Sequence, residues 1–422
     1  MQPKKTIESL SELPTMPSTI GTMVWNQTGD WRYLTPLVAN KLAPCSQNCP
    51  AGIPIPGYLS AIKNGHVQSG LTLLLAHNPL PGLTGRLCYH PCQTKCVRRK
   101  IDRAISIQKI ERFLADFGTD VKIAKSEKTD KRVTVIGSGP LGLSCAFYLG
   151  CRGCRVVVLD PCNQAGGALV DLSPGKIEPQ VLANEISRLV RLADIKLETG
   201  AVFDFDKPGE LLSKADLIIL DPTGLSEDFS APAGTVAFNP FDDETVTGDI
   251  ITAKLPQNLK PFKAPMIAHY IAAGRLTAQK AFDCLVMRSG QQGLAQPAPD
   301  LPRQAVNMED IKIERFLASD LVAEAEAKQE GTWDRERTLR EVERCLSCGT
   351  CNLCLQCASF CPDASIQLDK DKTVVTVDLD HCKGCGICAY ECPRGVITME
   401  EMSTPDTSKH KIAAATTAAK AK

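Results

Sequence analysis

Two runs of cysteine near the carboxyl-terminal end leave this chain few options. One reads Cys351-x2-Cys354-x2-Cys357-x3-Cys361-Pro362, and the other repeats the spacing as Cys382-x2-Cys385-x2-Cys388-x3-Cys392-Pro393. At this spacing three thiolates wrap one iron–sulfur cluster, while the fourth, set by the proline, reaches across to the other. On that rule Cys351, Cys354, Cys357 and Cys392 hold one 4Fe-4S cluster, and Cys361, Cys382, Cys385 and Cys388 hold a second. The alternating stretch Ala364 to Val377 between the motifs predicts a hairpin. Structural zinc and disulfides are the competing readings, and two full copies of the motif, each closed by Cys-Pro, weigh against both.

The 422 residues leave room for several domains, and 43% hydrophobic content is enough for real cores. Forty-eight basic and 48 acidic side chains balance, so nothing in the charge asks for nucleic acid or a membrane surface. No apolar run approaches the roughly 20 residues needed to cross a bilayer. The amino-terminal stretch does not read as a signal peptide. Metal-ligating thiolates need a reducing compartment, so the 20 cysteines imply a cytoplasmic protein, in an anaerobe or facultative anaerobe, and not a disulfide scaffold.

Along the chain, residues 1–43 read as an extended lead-in that wraps another domain. Residues 44–124 read as a helical iron–sulfur domain carrying Cys45-x3-Cys49-Pro50 and Cys88-x3-Cys92-x3-Cys96. Apolar spacing predicts helices over Tyr58 to Ala76 and Ile105 to Phe117. A polar linker spans 125–131. An α/β nucleotide-binding domain of Rossmann type fills 132–290, and 291–344 is linker with helices over 308–329 and 334–344. The α+β dicluster ferredoxin domain covers 345–402, and a tail over 403–422 has too few apolar residues to bury anything.

Gly137-x-Gly139-Pro140-Leu141-Gly142 lies between a strand and a helix, and Asp160 ends the next strand, 23 residues after Gly137. This is a dinucleotide fingerprint in its required setting. The glycines serve a tight turn, close approach of backbone to a pyrophosphate, and helix–strand packing, and the acid accepts from a ribose hydroxyl. A tight turn without ligand is the bland alternative. Thr247-Gly248-Asp249 before a later helix reads as the second signature of flavoproteins that bind two dinucleotides, with Asp249 near the ribityl chain, so FAD is the expected ligand, with Gly167 in the cradle.

Residues 44–285 resemble the small subunit of glutamate synthase and the amino-terminal half of dihydropyrimidine dehydrogenase. The likeness rests on Cys45-x3-Cys49-Pro50, Thr84-Gly85-Arg86-Leu87-Cys88, Cys92, Cys96, the Gly137 to Gly142 loop, Gly166-Gly167, Thr223-Gly224 and Thr247-Gly248-Asp249. Three departures stand out. The family inserts an NADPH-binding domain between Thr-Gly and Gly-Asp, yet here those motifs are only 24 residues apart, too few for a βαβ unit. The loop after Gly167 differs, running Ala168 to Gly175, and Asp160 stands where the family has Glu.

The resemblance also implies two amino-terminal clusters. The family's upstream Arg-Cys-x-x-Cys-Gly pair is missing there but occurs as Arg344-Cys345-Leu346-Ser347-Cys348-Gly349. Cys345 and Cys348 are therefore expected to join Cys45 and Cys96, while Cys49, Cys88 and Cys92 take Glu111, or Gln108 in its stead, as a fourth ligand. Against Glu111 stands the recurrence of Ile-Glu-Arg-Phe-Leu-Ala at 313–318, where the acid reads as a helix-surface residue. Cys151 and Cys154 read as structural thiols, Cys145 and Cys284 as core, and His90 and His381 as solvent-facing.

These readings imply an electron-transfer subunit with FAD and up to four clusters, without an NAD(P)H domain of its own. It would work between a ferredoxin-like carrier and a catalytic oxidoreductase subunit. A self-contained NAD(P)H:ferredoxin oxidoreductase and a scaffold with a vestigial flavin site are the alternatives.

Overall fold

The computed structural model describes residues 27–118, 121–172, 176–202, 208–225, 231–289, 304–317, 321, 333–369, 371 and 373–401. The tail over 403–422, residues 291–303 and half of the expected 308–329 helix lie outside them; the described part of that helix forms two 3-10 turns, Met308–Asp310 and Ile313–Arg315, instead. Two compact units partition the chain, one built from 41–311 and 316–350, the other from the amino-terminal 40 residues, 312–315 and the residues after Thr350.

The larger unit begins with short helices: α1 (Pro44–Gln47), α2 (Ile55–Lys63), α3 (Val67–Leu75), α4 (Pro81–Leu87), α5 (Pro91–Thr94) and α6 (Ile107–Phe117). The single helix expected over 58–76 is broken into α2 and α3, because Gly65 at φ +83° reverses the chain after the Asn64 cap. Apolar faces of α2, α3, α4 and α6 share one core with the α/β half: Leu59, Ile62, Leu71, Leu74, Ile110 and Leu114 are fully or almost fully buried.

In the α/β half, β2 (Arg132–Ile136), β3 (Arg155–Asp160), β4 (Lys196–Thr199), β5 (Leu217–Leu220), β6 (Val236–Phe238) and β7 (Ile250–Ala253) form one parallel sheet in the order 4-3-2-5-7-6. Helices α7 (Pro140–Cys151), α8 (Pro179–Ala193), the short α9 (Pro208–Leu212) and α10 (Ile267–Ser289) accompany it. The strand order reverses between β2 and β5, and in such sheets ligands bind at the carboxyl ends beside that switch point. The glycine loop leaves the carboxyl end of β2, as the fingerprint requires. Residues 335–343 return to this unit as α11 (Arg335–Glu343), capped by the Asp334 carboxylate accepting from the Arg337 amide at 2.8 Å.

The smaller unit is the ferredoxin-like module. Strand β8 (Ile366–Leu368) and β9 (Val375–Val377) make the expected antiparallel hairpin, flanked by α12 (Gln356–Ser359) and α13 (Ile387–Glu391). The lead-in contributes β1 (Leu34–Val38), which pairs antiparallel with β10 (Ile397–Glu401), so the stretch read as a wrap is a strand of this module.

Candidate functional site: cysteine sets and a glycine-loop cleft

Each half of the dicluster module gathers the cysteines that the crossed spacing pairs. Cys351, Cys354, Cys357 and Cys392 line one small cavity, and Cys361, Cys382, Cys385 and Cys388 line another. The loops between cysteines are wound unusually: Leu353 and Leu355 both sit at φ +60°, a conformation that costs non-glycine residues energy and recurs at functional sites. The winding turns amides inward. The Leu353 N–H opposes the burial that raises the Cys351 thiol, and the Gly384 N–H does the same for Cys382. Burial, then the neighbouring thiols of Cys392, Cys351 and Cys354, push Cys357 up to about 12.

A third small cavity lies in the larger unit and is lined by Cys45, Cys96, Cys345 and Cys348. Four thiols separated by up to 303 residues in sequence thus face one space. Burial and then the Cys345, Cys96 and Cys348 thiols push Cys45 up, the electrostatic mark of their nearness. An ion network holds the late segment in place. Arg344, 1% exposed, donates to Glu341 at 2.7 Å, to Asp102 at 3.0 Å and to the Arg103 carbonyl at 2.6 Å. Arg98 grips the same Asp102 through two bonds at 2.9 and 3.0 Å, and Glu341 accepts from the Ser106 amide at 2.8 Å. Burial raises the Asp102 carboxyl, but the Arg98, Arg103 and Arg344 bonds outweigh it and hold the group low.

The fourth set surrounds Glu111. This side chain is 3% exposed, accepts from Thr84 Oγ1 at 3.0 Å and lies 3.6 Å from His90 Nε2. Its charge raises the neighbouring Cys49 and Cys92 thiols beyond the effect of burial. The surface reading suggested by the repeated sextet therefore fails at Glu111: its α6 face is buried, whereas the second copy forms a one-turn 3-10 helix at Ile313–Arg315. Gln108 lines a different, open cleft with Arg86, Lys109 and Arg112. His90 is also not solvent-facing. It is 4% exposed, with Nδ1 2.6 Å from the Cys88 carbonyl and its amide donating to Cys88 Sγ at 3.3 Å.

Among the described residues no three side chains close on a single metal ion. A cubane fits these donor sets: all 20 cysteines are free, and each of the three cavities offers four soft ligands.

The glycine-loop cleft is arranged differently from its expectation. Asp160 is fully buried, and its two oxygens are taken by the chain: Ser138 N–H at 2.8 Å and Ser138 Oγ on one, the Cys162 amide at 2.8 Å on the other. Gly248 and Asp249 precede β7 and so lie at the amino edge of the sheet. There Asp249 pairs with Arg288 at 3.0 Å and its carbonyl accepts from the Ile218 amide. The glycine loop, Asp160 and Gly167 occupy the opposite, carboxyl edge. The structure does not bring the two signatures together. The residue following β7 at the carboxyl edge is Lys254.

The fold and donor sets define an iron–sulfur protein with a Rossmann-like half. Comparison with known proteins agrees. Residues 38–123 match the family described as dihydropyrimidine dehydrogenase domain II, 4Fe-4S cluster; residues 135–177 match an NAD(P)-binding Rossmann-like domain; and residues 375–398 match a 4Fe-4S binding domain. The chain is 28% identical over 315 residues to the NADP(+)-dependent formate dehydrogenase subunit beta of Moorella thermoacetica, covering 66% of this chain and 43% of the relative. It is 32% identical over 188 residues to the NADPH-Fe(3+) oxidoreductase subunit beta of Geobacter sulfurreducens, covering 43% and 28%. With the glutamate synthase [NADPH] small chain of Bacillus subtilis it shares 32% over 182 residues, covering 42% and 36%. Over these stretches the chain is similar to iron–sulfur oxidoreductase subunits, the glutamate synthase small chain among them. It spans less than half the length of each of these relatives. No helix among the described residues is long and apolar enough to cross a membrane.

Proposed function

We propose that this chain is a cytoplasmic electron-relay subunit that carries four 4Fe-4S clusters and passes electrons between a ferredoxin-like carrier and a catalytic partner subunit. One observation carries the reading: three separate cavities each present four cysteines, and a fourth set of three cysteines surrounds a buried Glu111. A 4Fe-4S cluster supplies a one-electron site whose potential depends on its surroundings. The residues of this chain set those surroundings. Thiolates ligate, Leu353 and Gly384 amides face the sulfurs, and the Arg344 network holds Cys345 and Cys348 beside Cys45 and Cys96. The relatives are named as subunits of oxidoreductases, which supports a partner in the role of catalyst.

FAD was the expected two-electron group. Asp249 stands at the sheet edge opposite the glycine loop and is not placed to hold FAD, so no step is assigned to a flavin. The test is reduction of the anaerobically purified chain by reduced ferredoxin or by NADPH alone. Loss of visible cluster absorbance with reduced ferredoxin, and none with NADPH, is the expected result. Bleaching by NADPH alone would favour a self-contained NAD(P)H oxidoreductase.

A further inference from the structure

The relay reading leaves the glycine-loop cleft without a task, and the cleft's contents suggest why it kept its shape. Asp221 directly follows the sheet's central β5, beside β2 and the turn of the glycine loop. Its side chain is fully buried. Oδ1 accepts from the Thr223 amide at 2.8 Å and from Thr223 Oγ1 at 2.7 Å, whereas Oδ2 is turned into the glycine loop. A Cβ on Gly142 would stand 2.6 Å from this Oδ2, and one on Gly137 would stand 3.0 Å from the Asp221 Cβ. The amides of Gly139 and Gly142, at the start of α7, favour its charged form. A helix amino terminus with free N–H groups is where a dinucleotide pyrophosphate would sit. Here a carboxylate of the chain already sits against it.

The space above the loop is filled as well. In a dinucleotide site the second glycine lets backbone approach the ligand. At Gly139 the close approach is to the chain itself, since a Cβ there would meet Thr223 Oγ1 at 2.4 Å and the Gly224 nitrogen at 2.6 Å. Gly167 is packed likewise, its added Cβ falling 2.7 Å from Gly224 Cα and 3.0 Å from Gly139 Cα. Thr223 Oγ1 also takes the Leu141 amide at 3.3 Å, and the Ala168 amide donates to the Thr223 carbonyl at 3.3 Å. Three backbone segments, 138–139, 166–167 and 223–224, close on one another, and Ser138 spends its hydroxyl between Asp160 and the Gly166 amide at 2.8 Å.

We propose that Asp221 is an internal anion standing in for the pyrophosphate, so that the Rossmann half holds neither FAD nor NAD(P) and serves as a closed platform for the cluster-bearing helices. Electrons then enter and leave this chain singly, through the cysteine sets. The inference rests on the relay reading only for that last consequence.

The experiment uses the full chain purified anaerobically. Acid-released flavin is quantified, and binding of FAD, NADPH and ADP is titrated calorimetrically for the parent, Asp221→Asn and Asp221→Ala. The parent is expected to release no stoichiometric flavin, to show no saturable binding of FAD or NADPH and to bind ADP only weakly, while loss of the carboxylate raises ADP affinity by about tenfold or more, the scale of one charge at a helix terminus in a buried setting. Asp221→Asn keeps the side-chain volume and guards against misfolding of the alanine variant. One FAD per parent chain would overturn the closed cleft, and variants that bind ADP no better than the parent would overturn the role given to Asp221. Iron measured on the same samples reports the relay reading separately.

Discussion

Asp221 shows how one side chain ties fold to stability. Burial dominates its surroundings and lifts it to about 6 from 3.8, with the bonds from Thr223 and the Gly142 and Gly139 amides pulling the other way. A carboxyl raised in the fold binds more protons folded than unfolded, so its penalty is absent below 3.8, grows as pH rises to about 6, and persists above. That gap amounts to about 3 kcal/mol. Asp221→Asn should therefore raise the Tm at about pH 8 and leave it nearly unchanged at about pH 4, as read by calorimetry. Equal gains at both values would mean that packing, not charge, governs the site. Glu111 gives a second test. As a ligand, Glu111→Ala should remove about four iron atoms per chain while Glu111→Gln retains them through its amide oxygen. If the carboxylate served only Thr84, the alanine variant would melt earlier with its iron intact.

Among the elements, α11 does the most to shape the site, because it returns Cys345 and Cys348 to the helical domain. Arg344 and Glu341 are 1% and 4% exposed, so removing one partner strands a buried charge. Arg344→Met should cost about 3 to 5 kcal/mol and release the cluster held by Cys45, Cys96, Cys345 and Cys348. Electron paramagnetic resonance of the dicluster module should be unchanged; loss of its signals too would mean that Arg344 supports the whole chain. The sequence was legible where period and punctuation were strong. The helix expected over Ile105 to Phe117 is α6 (Ile107–Phe117), and the hairpin expected between the cysteine motifs is β8 and β9. Strands β6 and β7 escaped notice because each is three or four residues long without alternation. That omission misled the reading of Gly248-Asp249, which looked like a ligand turn and proves to be the entry to β7. The sextet around Glu111 was illegible for another reason. Identical local sequence says nothing about which face tertiary packing buries.

Across the whole molecule, each unit is assembled from stretches distant in sequence. The lead-in supplies β1 to the ferredoxin-like module, and the late segment up to Thr350 belongs to the helical domain. Cysteine spacing alone specified the two crossed sets of the module, since the motif encodes its own pairing. The set of Cys45, Cys96, Cys345 and Cys348 carries no such local code. It was reached through resemblance, and the structure places all four around one cavity. The FAD expectation came from local motifs whose spacing was right, but whether a cleft is open depends on what packs into it, and Asp221 has no signature in one sequence.

Iron per chain measures the wiring most directly. The anaerobically purified parent should carry about sixteen iron atoms, and a Cys345→Ser, Cys348→Ser double variant about twelve, with the magnetic signature of the two ferredoxin-like clusters preserved. A parent with about eight irons, or a double variant that keeps the parent's iron, would contradict the account.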